Sequence, residues 1–270
     1  MKGVVNAVRH HLAVVGSYLR VGLLNFVQYR TDFAVAVANA LVGLVTQVIG
    51  LAVIFGQTTQ LNGWDHSGLL VLVGVFFICS GLLGLVIRPS MQTLMEAIRL
   101  GTFDFTLTKP ADSQVLASVQ TVAPQAATDL LVGVGVIAWT LVSDGQGLHP
   151  WQVGAFLVAL ACGLAIIYSF LLMLSTFSFW FVKLDNILVV FEGLFQSAGR
   201  WPVSIFPPWL RLVLTFVVPV SFAVTVPAQA IVLGVDGATL AAAVGVAVLF
   251  LTGSRLFWRH ALRHYTGASA

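Results

Sequence analysis

Charge is the scarcest commodity in this chain: only 9% of its 270 residues are Asp, Glu, Lys or Arg, against 59% apolar residues. A water-soluble domain carries roughly 25% charged residues, so most of this chain does not meet water. Lysine occurs only as Lys2, Lys109 and Lys183, and no Gly-x-x-x-x-Gly-Lys-Ser/Thr stretch exists. That excludes a phosphate-cradling loop of this type, and with it ATP hydrolysis by the chain itself. No His-Glu-x-x-His pattern occurs, and the histidines lie in the terminal segments and, as His66 and His149, in connections. A membrane-embedded protease or metal enzyme would need Ser, His, Asp or Glu converging inside the apolar runs, and no such set is present. Cys79 and Cys162 sit within apolar runs without metal-ligand spacing and read as small core residues.

The few charges come in islands. No charged residue lies between Asp32 and Asp65, Asp65 and Arg88, Asp144 and Lys183, Arg211 and Asp236, or Asp236 and Arg255. A helix needs ~20 apolar residues to cross ~30 Å of hydrocarbon, and these gaps are long enough. The runs are continuously apolar, whereas a membrane strand would alternate over ~10 residues. The fold class is therefore all-α and integral to the membrane, as one membrane domain over residues 1–270.

Residues 1–30 place Asn6, Arg9, His10, Ser17, Arg20 and Gln28 at near-helical spacing among apolar residues, the pattern of an interfacial amphipathic helix. An ordinary cytoplasmic helix packed on the spans is the alternative. The charges interrupting this segment speak against a cleaved signal peptide. Six spans are expected at about 33–56, 67–87, 119–142, 152–180, 186–200 and 236–254. Between the last two, the region 201–233 is marked by Pro202, Pro207, Pro219 and Pro227. Proline removes a helical hydrogen bond and kinks or ends a helix, so 209–232 is either a seventh span or a pair of short helices that dip into the membrane and return.

Lys and Arg are enriched in cytoplasmic loops. Six spans with a cytoplasmic N-terminus put Lys2, Arg9, Arg20, Arg30, Arg88, Arg99, Lys109, Lys183, Arg255, Arg259 and Arg263 inside, leaving only Arg200 and Arg211 outside. A seventh span would move the three C-terminal arginines out. Six spans with an external re-entrant segment, and a cytoplasmic tail at 255–270, is the better topology. The tryptophans fit two interfacial belts, with Trp64, Trp139, Trp151, Trp201 and Trp209 outside and Trp180 and Trp258 inside. The net charge of +3 reflects this orientation and implies no nucleic-acid partner.

Two carboxylates lie in apolar surroundings, Asp129 and Glu192. Charge at the bilayer centre costs ~2.5–3.5 kcal/mol on insertion scales. They mark either a polar spot on a substrate path or subunit contact, or a structural hydrogen bond between helices. The other informative stretch is the cytoplasmic segment 88–112. It opens with Arg88-Pro89, runs through a short helix carrying Glu96 and Arg99, stops at Gly101 and closes at Lys109-Pro110. Glu96, Arg99 and Asp104 offer charge-assisted hydrogen bonds to a soluble partner; a plain solvated loop is the bland alternative.

Within that segment, Ile98-Arg99-x-Gly101-x-x-Asp104-x-x-Leu107-x-Lys109-Pro110 resembles the cytoplasmic-loop signature of permease subunits of bacterial type-2 ABC exporters, in the six-span branch. Tyr29-Arg30-x-Asp32-Phe33 before the first span is similar too. So is the proline-marked run Pro202-x-x-Ile205-Phe206-Pro207, Leu210-Arg211, Pro219-x-x-Phe222 and Pro227-Ala228. The order and spacing hold along the whole chain; Phe103 departs, where the family often has a smaller aliphatic residue. The resemblance implies a coupling helix at 88–112 and an external re-entrant region. It further implies two copies of a separate cytoplasmic ABC ATPase, which carry the ATP and Mg while this chain binds no cofactor or metal. A second permease, identical or related, would complete the pathway within the lipids of the bacterial plasma membrane. An ATP-independent carrier or channel is the alternative function.

Overall fold

The computed structural model describes residues 30–145, 147, 149–181 and 186–265. The expected interfacial helix at 1–29, the inner turn with Lys183 and Asp185, and the last residues of the tail lie outside them. Eleven helices order the described chain. They are α1 (Arg30–Phe55), α2 (His66–Leu82), α3 (Arg88–Arg99), α4 (Asp104–Leu107), α5 (Ser113–Val119), α6 (Ala127–Ser143), α7 (Pro150–Thr176), α8 (Ile187–Ala198), α9 (Pro208–Val217), α10 (Ser221–Val232) and α11 (Gly237–His264). No β-strand occurs among the described residues. Five stretches are long and apolar enough to cross a membrane: Phe33–Phe55, His66–Arg99, Pro124–Ser143, Pro150–Phe179 and Gly237–His264. The bent pair α9 and α10 makes a sixth if it is one broken span.

The centre of the bundle is α2, almost every residue of which is buried. It lies against α6 because Gly74, Gly81 and Gly133 let the two backbones touch. A Cβ on Gly133 would sit 2.5 Å from the Gly74 carbonyl, and one on Gly81 would sit 2.6 Å from the Leu130 nitrogen. Small residues at such crossings are how helices associate without a hydrophobic driving force in lipid. By contrast α1 and α11 are largely exposed, with Val42, Val45 and Ile49 on one and Val248 and Leu249 on the other facing outward. Such faces are stable only in hydrocarbon or against another apolar surface.

Pro89 does not end the second span. A π-helical turn, Leu83–Ile87, joins α2 to α3, and one 34-residue helix runs from His66 to Arg99. At 1.5 Å per residue it is about 51 Å long, more than the bilayer core needs. The carbonyl four residues before Pro89 belongs to Leu85, and it accepts the Ala123 N–H at 2.8 Å. Nearby, Ser90 Oγ donates to the Thr121 carbonyl and accepts the Thr121 N–H, and the Thr93 and Thr121 hydroxyls bond at 2.8 Å. The proline's missing donor is thereby used to dock 120–123 onto the helix, so the expected loop start at 88 is a rigid extension of the span. The third span correspondingly begins at Pro124 rather than 119, because 113–119 forms the separate helix α5, and the last helix carries on past 254 to His264.

The expected fifth span is α8, only 12 residues long. That is about 18 Å, short of the ~30 Å core. It stops at Gly199-Arg200-Trp201-Pro202, where the residue before a proline is pushed out of the helical region. The α9–α10 pair fills space beyond it, bent by 82°. Its turn packs deep in the bundle: Cys79 Sγ donates to the Ala223 carbonyl at 3.0 Å, and Gly163 of α7 lies directly against Phe222 and Ala223. Of the tryptophans expected at the span ends, Trp64 and Trp258 pack inside the bundle at 2% and 0% exposure, whereas Trp139, Trp151 and Trp209 are exposed.

Candidate functional site

A polar cavity of about 540 Å³ is walled by α1, the α2–α3 helix, the start of α6, and α8. On α1, Ala36, Asn39, Ala40 and Gly43 fall on one helical face and leave the space open. Asp129 and Glu192 both line it, although 63 residues separate them in sequence. Arg88 lies between them. Its guanidinium pairs with Glu192 through Nη1, while Nη2 reaches the Ser80 carbonyl and hydroxyl at 3.4 and 3.3 Å. Ser80 in turn hydrogen-bonds the Asp129 carboxylate. The result is a chain Glu192–Arg88–Ser80–Asp129 crossing from α8 through the α2–α3 junction to α6.

The end of the cavity nearer the start of α2 holds a second arginine. Arg200 sits with its guanidinium 5.3 Å from the centre of the Phe76 ring, and Nη2 donates to Gln196 at 3.3 Å. Phe76 is ten residues into α2 from His66, about 15 Å along the helix. Arg200 is therefore not a charge in an external loop, as the sequence implies, but a group well inside the bundle. The half-length of α8 puts it there, and Gly199, whose Cβ would lie 3.0 Å from the Phe76 ring, allows the approach. Gln47 of α1 caps this end by donating to the Arg200 carbonyl. At the other end the rim carries exposed Gln92 and Gln125.

The segment 88–112 shows how sequence builds a rigid element beyond the end of a span. Met91, Leu94 and Met95 bury one face of α3 while Gln92, Glu96 and Arg99 stay exposed. Glu96 and Arg99 stand 4.0 Å apart, one turn apart on the helix. Gly101 has φ +69°, a left-handed conformation that disfavours any residue with a Cβ. Its N–H bonds the Ile98 carbonyl and the Thr102 N–H bonds that of Ala97, which closes the helix end in a Schellman motif. Lys109 and Pro110 are exposed. A groove of about 390 Å³ runs between Gln92, Met95, Glu96, Arg99 and Leu188.

Two anchors tie this segment to distant helices. Phe103, 1% exposed, is enclosed by Phe179, Trp258 and Tyr265 at ring distances of 5.4, 5.9 and 5.8 Å. Asp104 hydrogen-bonds the Tyr265 hydroxyl. The second anchor is Asp112, which caps α5 by accepting from Gln114 and Val115 and pairs through both oxygens with Arg255 of α11. Arg255 also donates to Gln114, whose amide reaches Tyr168 of α7. The Arg255 hydrogen bond holds the Asp112 carboxyl below the usual aspartate range.

A group with a lowered folded-state pKa stabilises above its unfolded value, ~3.9 for Asp, and that contribution is lost as pH falls through the folded value. In wild type the anchor thus survives from neutral pH down past 4. Asp112→Asn should remove it at all pH values, at a cost of about 1 kcal/mol because the pair is partly solvent-screened. Hydrogen exchange of 100–119 in nanodiscs, corrected for intrinsic rates, should show lost protection in the variant at pH 7. Equal protection in both proteins would mean the pair anchors nothing.

Arg88, Arg200, Asn39 and Gln196 were not singled out from sequence. Arg88 reads as a loop charge because proline follows it; the usable signal was the small-residue face of α1, which leaves room for a cavity. Among the described residues no cluster of three His, Cys, Asp or Glu could hold a metal ion.

Comparison with known families gives one match: the model described as ABC-2 family transporter protein covers residues 41–269. No curated protein and no solved structure matches. Together with the apolar helices, a match over most of the chain means that it belongs to the ABC-2 transporter family, as the multi-pass membrane permease of an ABC transporter rather than an enzyme.

Proposed function

We propose that this permease belongs to the six-span exporter branch and carries an amphipathic or apolar substrate from the inner to the outer side of the bacterial plasma membrane. Two copies of a partner ATPase bind the ATP and Mg and drive it, and a second permease, identical or related, completes the pathway. The observation that supports this most is the unbroken helix from His66 to Arg99. Glu96, Arg99 and Gly101 at its cytoplasmic end and Arg88 in the cavity wall belong to one rigid body. A push on the exposed end therefore shifts Arg88 relative to Glu192 and Asp129. Asp104, Phe103 and Asp112 carry the same displacement to α7 and α11 through their anchors, and Lys109 and Pro110 complete the docking face. The arrangement fits force entering at 88–112 and opening the cavity.

In this topology α1, α2, α6, α7 and α11 are spans. The short α8 is the fifth crossing, completed by the chain through Pro202 and Pro207, and α9 and α10 form a re-entrant hairpin broken at Pro219 and resumed at Pro227. Both termini are cytoplasmic. Single cysteines in a Cys79→Ala, Cys162→Ala background test this with a membrane-impermeant maleimide. Cysteines at Gln60, His149, Trp209 and Asp236 should label from outside, and one at Lys109 only after permeabilisation. Labelling of Trp209 and Asp236 positions from opposite sides would show that α9–α10 is a single span and overturn the re-entrant assignment.

A further inference from the structure

We infer that Arg200 is the anion-recognition residue of the cavity, and that the ligand it selects is an amphiphile with a phosphate or carboxylate headgroup. This rests on the reading of the cavity as the substrate pathway. Charges at membrane depth pair with one another or mark substrate paths. Of the four ionisable groups on the cavity wall, Arg88 and Glu192 form an ion pair, although the Arg88 Nε is also left without a partner, and Asp129 has Ser80 and lies within the electrostatic reach of both Arg88 and Arg200. Arg200 is different. Among the described residues it has no carboxylate within ion-pair distance, and its contacts are the neutral Gln196 and the Phe76 face.

A guanidinium presents five N–H donors and no acceptor. One Arg200 donor is used by Gln196, its Nε is buried without a partner, and the fork otherwise lacks acceptors. Buried donors without acceptors are costly, and a fork of this shape is matched by the planar pair of oxygens on a carboxylate or phosphate. Phe76 holds the group in place: the stacked ring supports the charge electrostatically while keeping water off one face. The cavity is large enough for a headgroup, since small-molecule sites run about 300–1,000 Å³. Its inner rim, at Gln92 and Gln125, is uncharged and exposed, and α1 beside it is apolar. A chain of methylenes can lie there while the anion reaches Arg200.

The experiment uses the full chain in phosphatidylcholine nanodiscs and three probes with the same alkyl chain: dodecyl phosphate, dodecyl maltoside and dodecyltrimethylammonium. Wild type should bind dodecyl phosphate best. Arg200→Gln should weaken that binding about tenfold or more, the size of one charge-assisted hydrogen bond, and leave the maltoside unchanged. Arg200→Lys, which keeps the charge but loses the fork, should fall between. Asn39→Asp, at an exposed wall position, should also weaken the phosphate probe by adding a third carboxylate to the wall. Phosphatidylglycerol in the nanodisc competing with dodecyl phosphate identifies a bilayer phospholipid as the source; absence of competition identifies a separate anionic amphiphile. Equal dodecyl phosphate binding by wild type and Arg200→Gln, or preference for the cationic probe, overturns the inference. Co-purification of an ATPase is scored separately, so loss of the permease reading is not confused with loss of anion selectivity.

Discussion

Replacing Gly101 with valine should leave the protein in the membrane at near-normal level and abolish most ATP-driven transport. Gly101 has φ +69°, and forcing a β-branched residue into the left-handed region costs of order 1–3 kcal/mol. The strain falls on the Schellman turn that ends α3, so the helix end must unwind or shift. Phe103 and Asp104, two and three residues further on, are then displaced from Phe179, Trp258 and Tyr265. The spans are untouched, so insertion is retained. Reversing the exposed pair, Glu96→Arg with Arg99→Glu, should weaken ATPase docking with little effect on folding, because surface pairs contribute only ~0–1 kcal/mol to stability. Substrate-stimulated ATP hydrolysis in reconstituted membranes reads both variants. Wild-type coupling in both would remove 88–112 as the point where force enters.

The second large effect is expected at the Arg88–Glu192 pair. Removing one member of a buried pair strands the other, a penalty of about 3–5 kcal/mol when burial is complete; both groups here retain some solvent access, so the lower end applies. Glu192→Gln should reduce transport tenfold or more while leaving ATPase binding intact, since 96–101 is unchanged. Arg88→Gln should do the same and also loosen Asp129 through Ser80. The double variant should be less impaired in protein level than Arg88→Gln alone, because no unpaired carboxylate remains at position 192. If neither single variant alters transport, the chain of polar groups is a structural bond between helices and not part of the path. That was the alternative left open by the sequence.

Much of the fold was legible because a bilayer makes strict demands. Long uncharged gaps located α1, α2, α7 and α11, the apolar run around Asp129 located α6, and Gly101 marked the end of α3 by its freedom to adopt positive φ. Prolines 219 and 227 warned that 209–232 was not a plain span. What the sequence hid depends on pairings across the bundle. Arg88-Pro89 looked like a loop start, yet the π turn and the Ala123 N–H on the Leu85 carbonyl carry the helix through. Arg200 looked external, because nothing local shows that α8 ends at the level of Phe76. That Trp64 and Trp258 pack inside was hidden, since an aromatic at a span end has the same composition whether it faces lipid or the bundle. Asp129 and Glu192 stood out as charges in apolar runs, but the residue that joins them, Arg88, was read as a topological marker and a loop start.

The most direct test of the account is purification of the tagged chain from its native membrane, followed by identification of what comes with it. The account predicts an ABC ATPase in a two-to-two ratio with permease chains, retained by Glu192→Gln and lost on reversal of Glu96 and Arg99. A chain that purifies without any ATPase yet moves substrate in ATP-free vesicles would contradict it, and would make this protein a carrier.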